Sequence, residues 1–176
     1  MRLPTASKRN IAATAIVTGP PVARGLLYQA IVIEPLNSLL RVELAAVAGY
    51  QKALRSLKKK AVADTDHILK LAADHQRTAA ALHGSVQARG GAPVTSAGPW
   101  EGSAAAELTG DDAPVMMESA EFVRALLGVE QRGLAAYEDS ISSLDEDARE
   151  LVEMELIPRQ KRHVASLAAM LVLLAA

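Results

Sequence analysis

Two glutamates and two histidines carry the chemistry this chain could perform. Residues 39–57, LLRVELAAVAGYQKALRSL, align without gaps on residues 126–144, LLGVEQRGLAAYEDSISSL, at a constant offset of 87. Polar residues repeat along with apolar ones: Glu43 falls on Glu130 and Tyr50 on Tyr137. Within each copy the two lie seven residues apart, on one helix face and two turns from each other, and the rest of that face is apolar. Carboxylates on a core stripe need partners, because an unpaired buried charge is costly or becomes neutralised. His75 and His163, on the apolar sides of the following helices, can supply them. Those helices align more weakly at offset 85, with His75, Arg77, Thr78 and Leu82 opposite Gln160, Arg162, His163 and Leu167.

Brought together, two carboxylates and two imidazoles would form a mononuclear site for zinc, iron or manganese, completed by Gln160, Asp74 or water. The same residues can instead build a metal-free polar network in which each Glu accepts from a His or from Tyr50 and Tyr137. Asp74 is turned about 100° from His75 on a helix, as a partner of the ligands or a solvated charge. His67 and His83 have no partner pattern and read as surface or groove residues.

Four helices must position these groups. Leu36, Leu39, Leu40, Ala46, Val47, Tyr50, Leu54 and Leu57 recur at three- and four-residue steps, so helix one is expected over about 35–58 with Pro35 in its first turn. Lys58, Lys59 and Lys60 suit its C-terminus. Asp64 or Thr65 would cap helix two, which carries Ile68, Leu71, Ala72, Ala79, Leu82 and Val86 on one side and stops at Gly90 and Gly91. Residues 90–103 form a long crossover whose Trp100 would pin it to the bundle, with a short helix over 103–109. Asp112 caps helix three, Pro114 sits near its first turn, and it runs to about Leu144. Asp145 caps helix four, which continues to the C-terminus with a kink or break near Met154 because Pro158 removes a backbone donor.

Composition agrees with helices. Of 176 residues, 50% are hydrophobic but only 3% aromatic, with Ala and Leu in excess, which disfavours a β-sandwich or barrel. The absence of cysteine excludes disulfide frameworks, zinc knuckles, iron–sulfur sites and thiol nucleophiles. A net charge of −1 does not fit a nucleic-acid-coating chain. No Gly-rich phosphate loop or nucleophile elbow is present. Before Glu34 there is no acid, and Arg2, Lys8, Arg9 and Arg24 contribute +4; residues 1–33 read as a flexible N-terminal extension of a cytoplasmic chain, ahead of a bundle over 34–176. The apolar stretch Val164–Ala176 is too short for a transmembrane segment and reads as the last turns of a buried helix. The acids of the second half form a solvated face. Ala- and Leu-rich faces favour a homo-oligomer.

These residues resemble the ferritin-like superfamily of dimetal carboxylate bundles, in particular its small bacterial two-hairpin members of uncharacterised function. The resemblance covers about 36–171. It rests on a Glu on helices one and three, polar residues at three-residue spacing on helices two and four, a Tyr two turns after each Glu, and the long crossover. It implies an all-α, ferritin-like four-helix bundle of two duplicated hairpins, holding iron or manganese through one Glu from each of two helices and a Glu-x-x-His from each of the others. Position by position, Glu43 and Glu130 match the single glutamates and His163 the second histidine. Gln160 stands where a Glu is expected, and His75 and Thr78 fill the slots of the first motif. The function implied is a bundle with a degenerate metal site between its hairpins and an iron- or stress-related role. The alternative is a metal-free structural or protein-interaction bundle.

Overall fold

A computed structural model describes residues 21–56, 62–98 and 119–175. Among them there are no strands, and the chain forms four helical arms of an all-α bundle. The first arm comprises α1 (Pro21–Tyr28), a π turn (Gln29–Ile33) and α2 (Glu34–Ser56). The second is α3 (Val62–Ala88) and the third is α4 (Ser119–Ser140), followed by a 3-10 turn at Ile141–Ser143. The fourth comprises α5 (Glu146–Leu151), a π turn (Val152–Leu156) and α6 (Ile157–Leu174). Helix α2 packs on α3, α4 on α6, and α2 on α4.

Helix one was expected to begin at Pro35, and the structure corrects this. The chain is already helical at Pro21, and the expected boundary between residues 33 and 34 lies inside a continuous arm where Ile33 is fully buried. The wide turn explains how. A proline ring crowds the carbonyl four residues back and lacks the N–H that would bond to it. Just ahead of Pro35, the Glu34 N–H bonds Gln29 O, five residues back, so the helix widens and passes through. The same device recurs at Pro158, where the Ile157 N–H bonds Val152 O. That π turn is centred on Met154, where a kink or break was expected.

Helix ends follow local chemistry. At the end of α3, the Gly91 N–H bonds Val86 O at 3.0 Å and the Gly90 N–H bonds Gln87 O at 2.9 Å, with Gly90 at φ +73°. This is a Schellman end, and it requires the left-handed conformation glycine adopts freely. Asp145 caps α5 by accepting from the Ala148 N–H at 2.9 Å, as expected. Arg89 grips the Asp145 carboxylate with two bonds of 2.8 Å and so ties the end of α3 to the start of α5. Asp64 and Thr65 do not begin helix two, which is already formed at Val62. The Asn37 amide donates to Ala92 O and accepts from the Val94 N–H, holding the start of the crossover against α2. Lys58 to Lys60, Trp100, the short helix over 103–109 and the cap at Asp112 lie outside the described residues.

Each arm buries one stripe, and in every arm the stripe is interrupted by polar residues at the same level. One apolar cluster includes Ala46, Ile68, Leu71, Leu126 and Leu167; the other includes Leu36, Leu40, Leu82, Val152 and Leu156. Glu43, then His75 and Thr78, then Glu130, then Gln160 and His163 fall between the two clusters along α2, α3, α4 and α6, all at most 4% exposed. Each large aliphatic side chain so buried contributes roughly 1.5–3 kcal/mol. The apolar C-terminal end differs in part from the expectation of burial: beyond Leu167, Met170 and Leu171 are only partly buried against the core, and Val172 and Leu173 are 70% and 78% exposed. No described helix is long and apolar enough to cross a membrane.

Candidate metal centre

The centre is built from the antiparallel pair α2 and α4. Glu43 lies opposite Tyr137, and Tyr50 opposite Glu130. The Tyr137 hydroxyl donates to Glu43 Oε1 at 2.5 Å, and the Tyr50 hydroxyl donates to Glu130 Oε1. Each tyrosine therefore serves the glutamate of the other hairpin. Burial, and then the charge of the facing glutamate, pushes both phenols well above their usual range, so they remain donors.

Helix α3 inserts His75 between the two carboxylates. Its Nδ1 lies 2.9 Å from Glu43 Oε2 and its Nε2 lies 2.9 Å from Glu130 Oε1. Burial alone would lower the affinity of this ring for a proton. The charge of Glu43 and the bonds to Glu130 and Glu43 outweigh it and raise the pKa to about 10, so without a competing cation His75 is an imidazolium donating from both nitrogens. Burial likewise opposes ionisation of Glu130, but neighbouring His163, His75 and Tyr50 bring its pKa down to about 2.

Helix α6 completes the Glu130 side. Gln160 directs its amide nitrogen to Glu130 O at 2.9 Å and to Glu130 Oε2 at 2.6 Å. Both partners are acceptors, so the expected ligand Gln160 presents an N–H pair to the site and its oxygen elsewhere. Gly133 leaves the room: a Cβ there would stand 2.8 Å from Gln160 Nε2. His163 places Nδ1 3.4 Å from Glu130 Oε2 and Nε2 3.2 Å from Asp74 Oδ2. Among the described residues, His163 Nδ1 is the buried side-chain nitrogen or oxygen that has no hydrogen-bond partner.

These positions fit a metal ion. One ligand atom each from His75, Glu130 and His163 lie within 4.8 Å of one another, and all three residues are buried. A separation of 3.4 Å is long for a charge-assisted hydrogen bond. It matches the spacing of two ligand atoms around a tetrahedral first-row metal with bonds of about 2.0–2.2 Å, which is about 3.3–3.6 Å. Two imidazoles and a carboxylate also suit zinc, iron or manganese.

All four core residues expected at the site therefore converge. Glu43 meets the cluster through His75 and stays outside the three-residue group. Thr78 is buried at the same level but bonds elsewhere, its hydroxyl donating to Asp74 O and accepting from Arg159 at 2.9 Å. Of the remaining histidines, His67 pairs with Ser166 at 2.7 Å and His83 is exposed. Arg159 and Asn37 were not singled out from sequence. Arg159 precedes Gln160 with no pattern of its own, whereas Asn37 had a readable signal as an amide inside the apolar stripe of α2. The chain matches no family model, no curated protein and no solved structure.

Proposed function

We propose that this protein is a ferritin-like bundle of two duplicated hairpins that binds one divalent first-row metal ion, zinc, iron or manganese, through His75, Glu130 and His163. The observation that carries the reading is the buried, unpartnered His163 Nδ1 facing a carboxylate oxygen at metal-ligand spacing. A bound ion would supply a Lewis-acidic centre with open positions for water or a small substrate. The chain's own residues prepare the site. Glu43 holds His75 by Nδ1, leaving Nε2 for the ion, while Tyr50 and Gln160 fix the Glu130 carboxylate. An ion held there would take the place of the proton that His75 Nε2 donates to Glu130 Oε1.

Protein purified without chelator is expected to contain about one equivalent of metal. Titration with zinc, Fe2+ or Mn2+ should raise the melting temperature, by a stabilisation of about 3 kcal/mol at free metal about 100 times its Kd. Glu130→Ala should abolish both. A wild type with no stoichiometric metal and no shift would end this reading. It would leave the metal-free polar network, which the two N–H···carboxylate bonds of His75 favour.

A further inference from the structure

Beyond the three ligands, the outer side of His163 is also organised. Helices α3 and α6 meet through a row of polar pairs in antiparallel order: His67 with Ser166, Asp74 with His163, and Thr78 with Arg159. Asp74 is more exposed than the three ligands. Its side chain is 26% exposed, whereas those of His75, Glu130 and His163 are at most 5% exposed. Its Oδ1 accepts from Arg77 and its Oδ2 faces His163 Nε2.

We propose that Asp74 is the positioning residue of the centre, accepting the Nε2–H of His163 and so fixing the tautomer whose Nδ1 lone pair points at Glu130. A neutral imidazole carries its proton on one nitrogen, and the two choices differ sharply here. With the proton on Nδ1, the Nε2 lone pair would face the Asp74 carboxylate at 3.2 Å. With the proton on Nε2, the shorter contact becomes a charge-assisted bond, and the lone pair is left at the longer one, 3.4 Å from Glu130 Oε2, where no hydrogen bond forms; the trade favours Nε2–H. The inward lone pair is what a cation would coordinate. The ring is otherwise held by the His75 ring edge-on at 5.2 Å and by the 3.4 Å approach of its Nδ1 to Glu130 Oε2. Asp74 is kept in place by Arg77 and needs no contact with the ion itself, since it lies on the opposite edge of the ring from Glu130.

The role of Asp74 as a helper of the ligand rests on the metal reading; the tautomer does not. Two readouts separate them. In 15N-histidine-labelled, metal-free protein at pH 7.5, His163 is expected as the Nε2–H tautomer. Asp74→Ala should lose that preference, and Asp74→Asn, which keeps an acceptor oxygen, should retain it. In Co2+ titrations, Asp74→Ala should weaken binding about 10- to 100-fold, with Asp74→Asn within a few-fold of wild type. An Nδ1–H or doubly protonated His163 in the wild type would overturn the proposal. So would an Asp74→Ala protein with unchanged tautomer and unchanged Co2+ affinity. A wild type that binds no Co2+ yet shows the Nε2–H tautomer, lost in Asp74→Ala, would remove the metal reading and uphold the positioning role.

Discussion

The two hairpins place a glutamate and a tyrosine at matching positions, yet surround the two glutamates differently. Glu43 receives Tyr137 and His75 and is then complete. Glu130 receives Tyr50, His75 and Gln160, and still has His163 Nδ1 unbonded beside it. The difference comes from the second helix of each hairpin, not from the helix that carries the glutamate. Helix α3 offers one imidazole that serves both carboxylates, whereas α6 offers an amide and an imidazole to Glu130 alone. Matching glutamate and tyrosine positions thus sit in one half whose carboxylate is fully engaged and one half with an unpartnered imidazole nitrogen beside it.

That asymmetry predicts unequal costs of truncation. Removing one member of a buried charged network costs about 3–5 kcal/mol. Glu130→Ala, which strips partners from three side chains, should lie near the upper end, and Glu43→Ala near the lower. Urea denaturation of metal-free protein checks the order, and a larger loss for Glu43→Ala would erase the distinction.

The pH dependence of stability sharpens it next. The folded pKa of His75, about 10, lies above its ordinary value of 6.5, so its contribution is complete below about pH 6.5 and is lost as pH rises through 10. The folded pKa of Glu130, about 2, lies below its ordinary 4.5, so its contribution is complete above about pH 4.5 and is lost as pH falls through 2. Metal-free protein should therefore be most stable near pH 4.5–6.5, with each limb worth on the order of a few kcal/mol. Glu130→Gln should flatten the acid limb; an unchanged acid limb in that variant would assign the loss to other carboxylates.

The smallest effects concern a matched pair of small residues. Gly133 and Ala46 stand 87 positions apart. Gly133→Ala should cost about 1–3 kcal/mol because the added methyl collides with the Gln160 amide. Ala46→Gly should cost about 1 kcal/mol, from helix propensity. Equal and negligible costs in thermal melts would show that the Gln160 contact is readily rearranged.

Much of this centre was legible because periodicity puts a residue on a face, and a repeated offset puts two residues at one level. Glu43, His75, Glu130 and His163 were found that way. The exchange of tyrosines between hairpins was not, since it depends on how α2 lies across α4, and no spacing within one helix encodes that. Asp74 was ambiguous for a related reason: it sits off the apolar face, and only the approach of α6 turns it from a surface charge into a partner of His163. The first arm was shortened because Pro35 read as the first turn of a new helix, whereas one wide turn absorbs its missing donor and the helix passes through. The outer end of α6 was overread in the opposite direction, since apolar composition alone does not provide a neighbouring surface for Val172 and Leu173.

The belt of polar side chains between the two apolar clusters also acts as a gauge of alignment. Leucine against leucine tolerates a slide of one helical turn, since one aliphatic surface resembles the next. A one-turn slide of α6 would bring Val164 and Leu167 to the level of Gln160 and His163, stranding the Glu130 carboxylate against hydrocarbon and carrying an imidazole into an aliphatic pocket. Sliding is therefore penalised at the belt even where the greasy ends would permit it, and the arms are left with one setting in which all four fit.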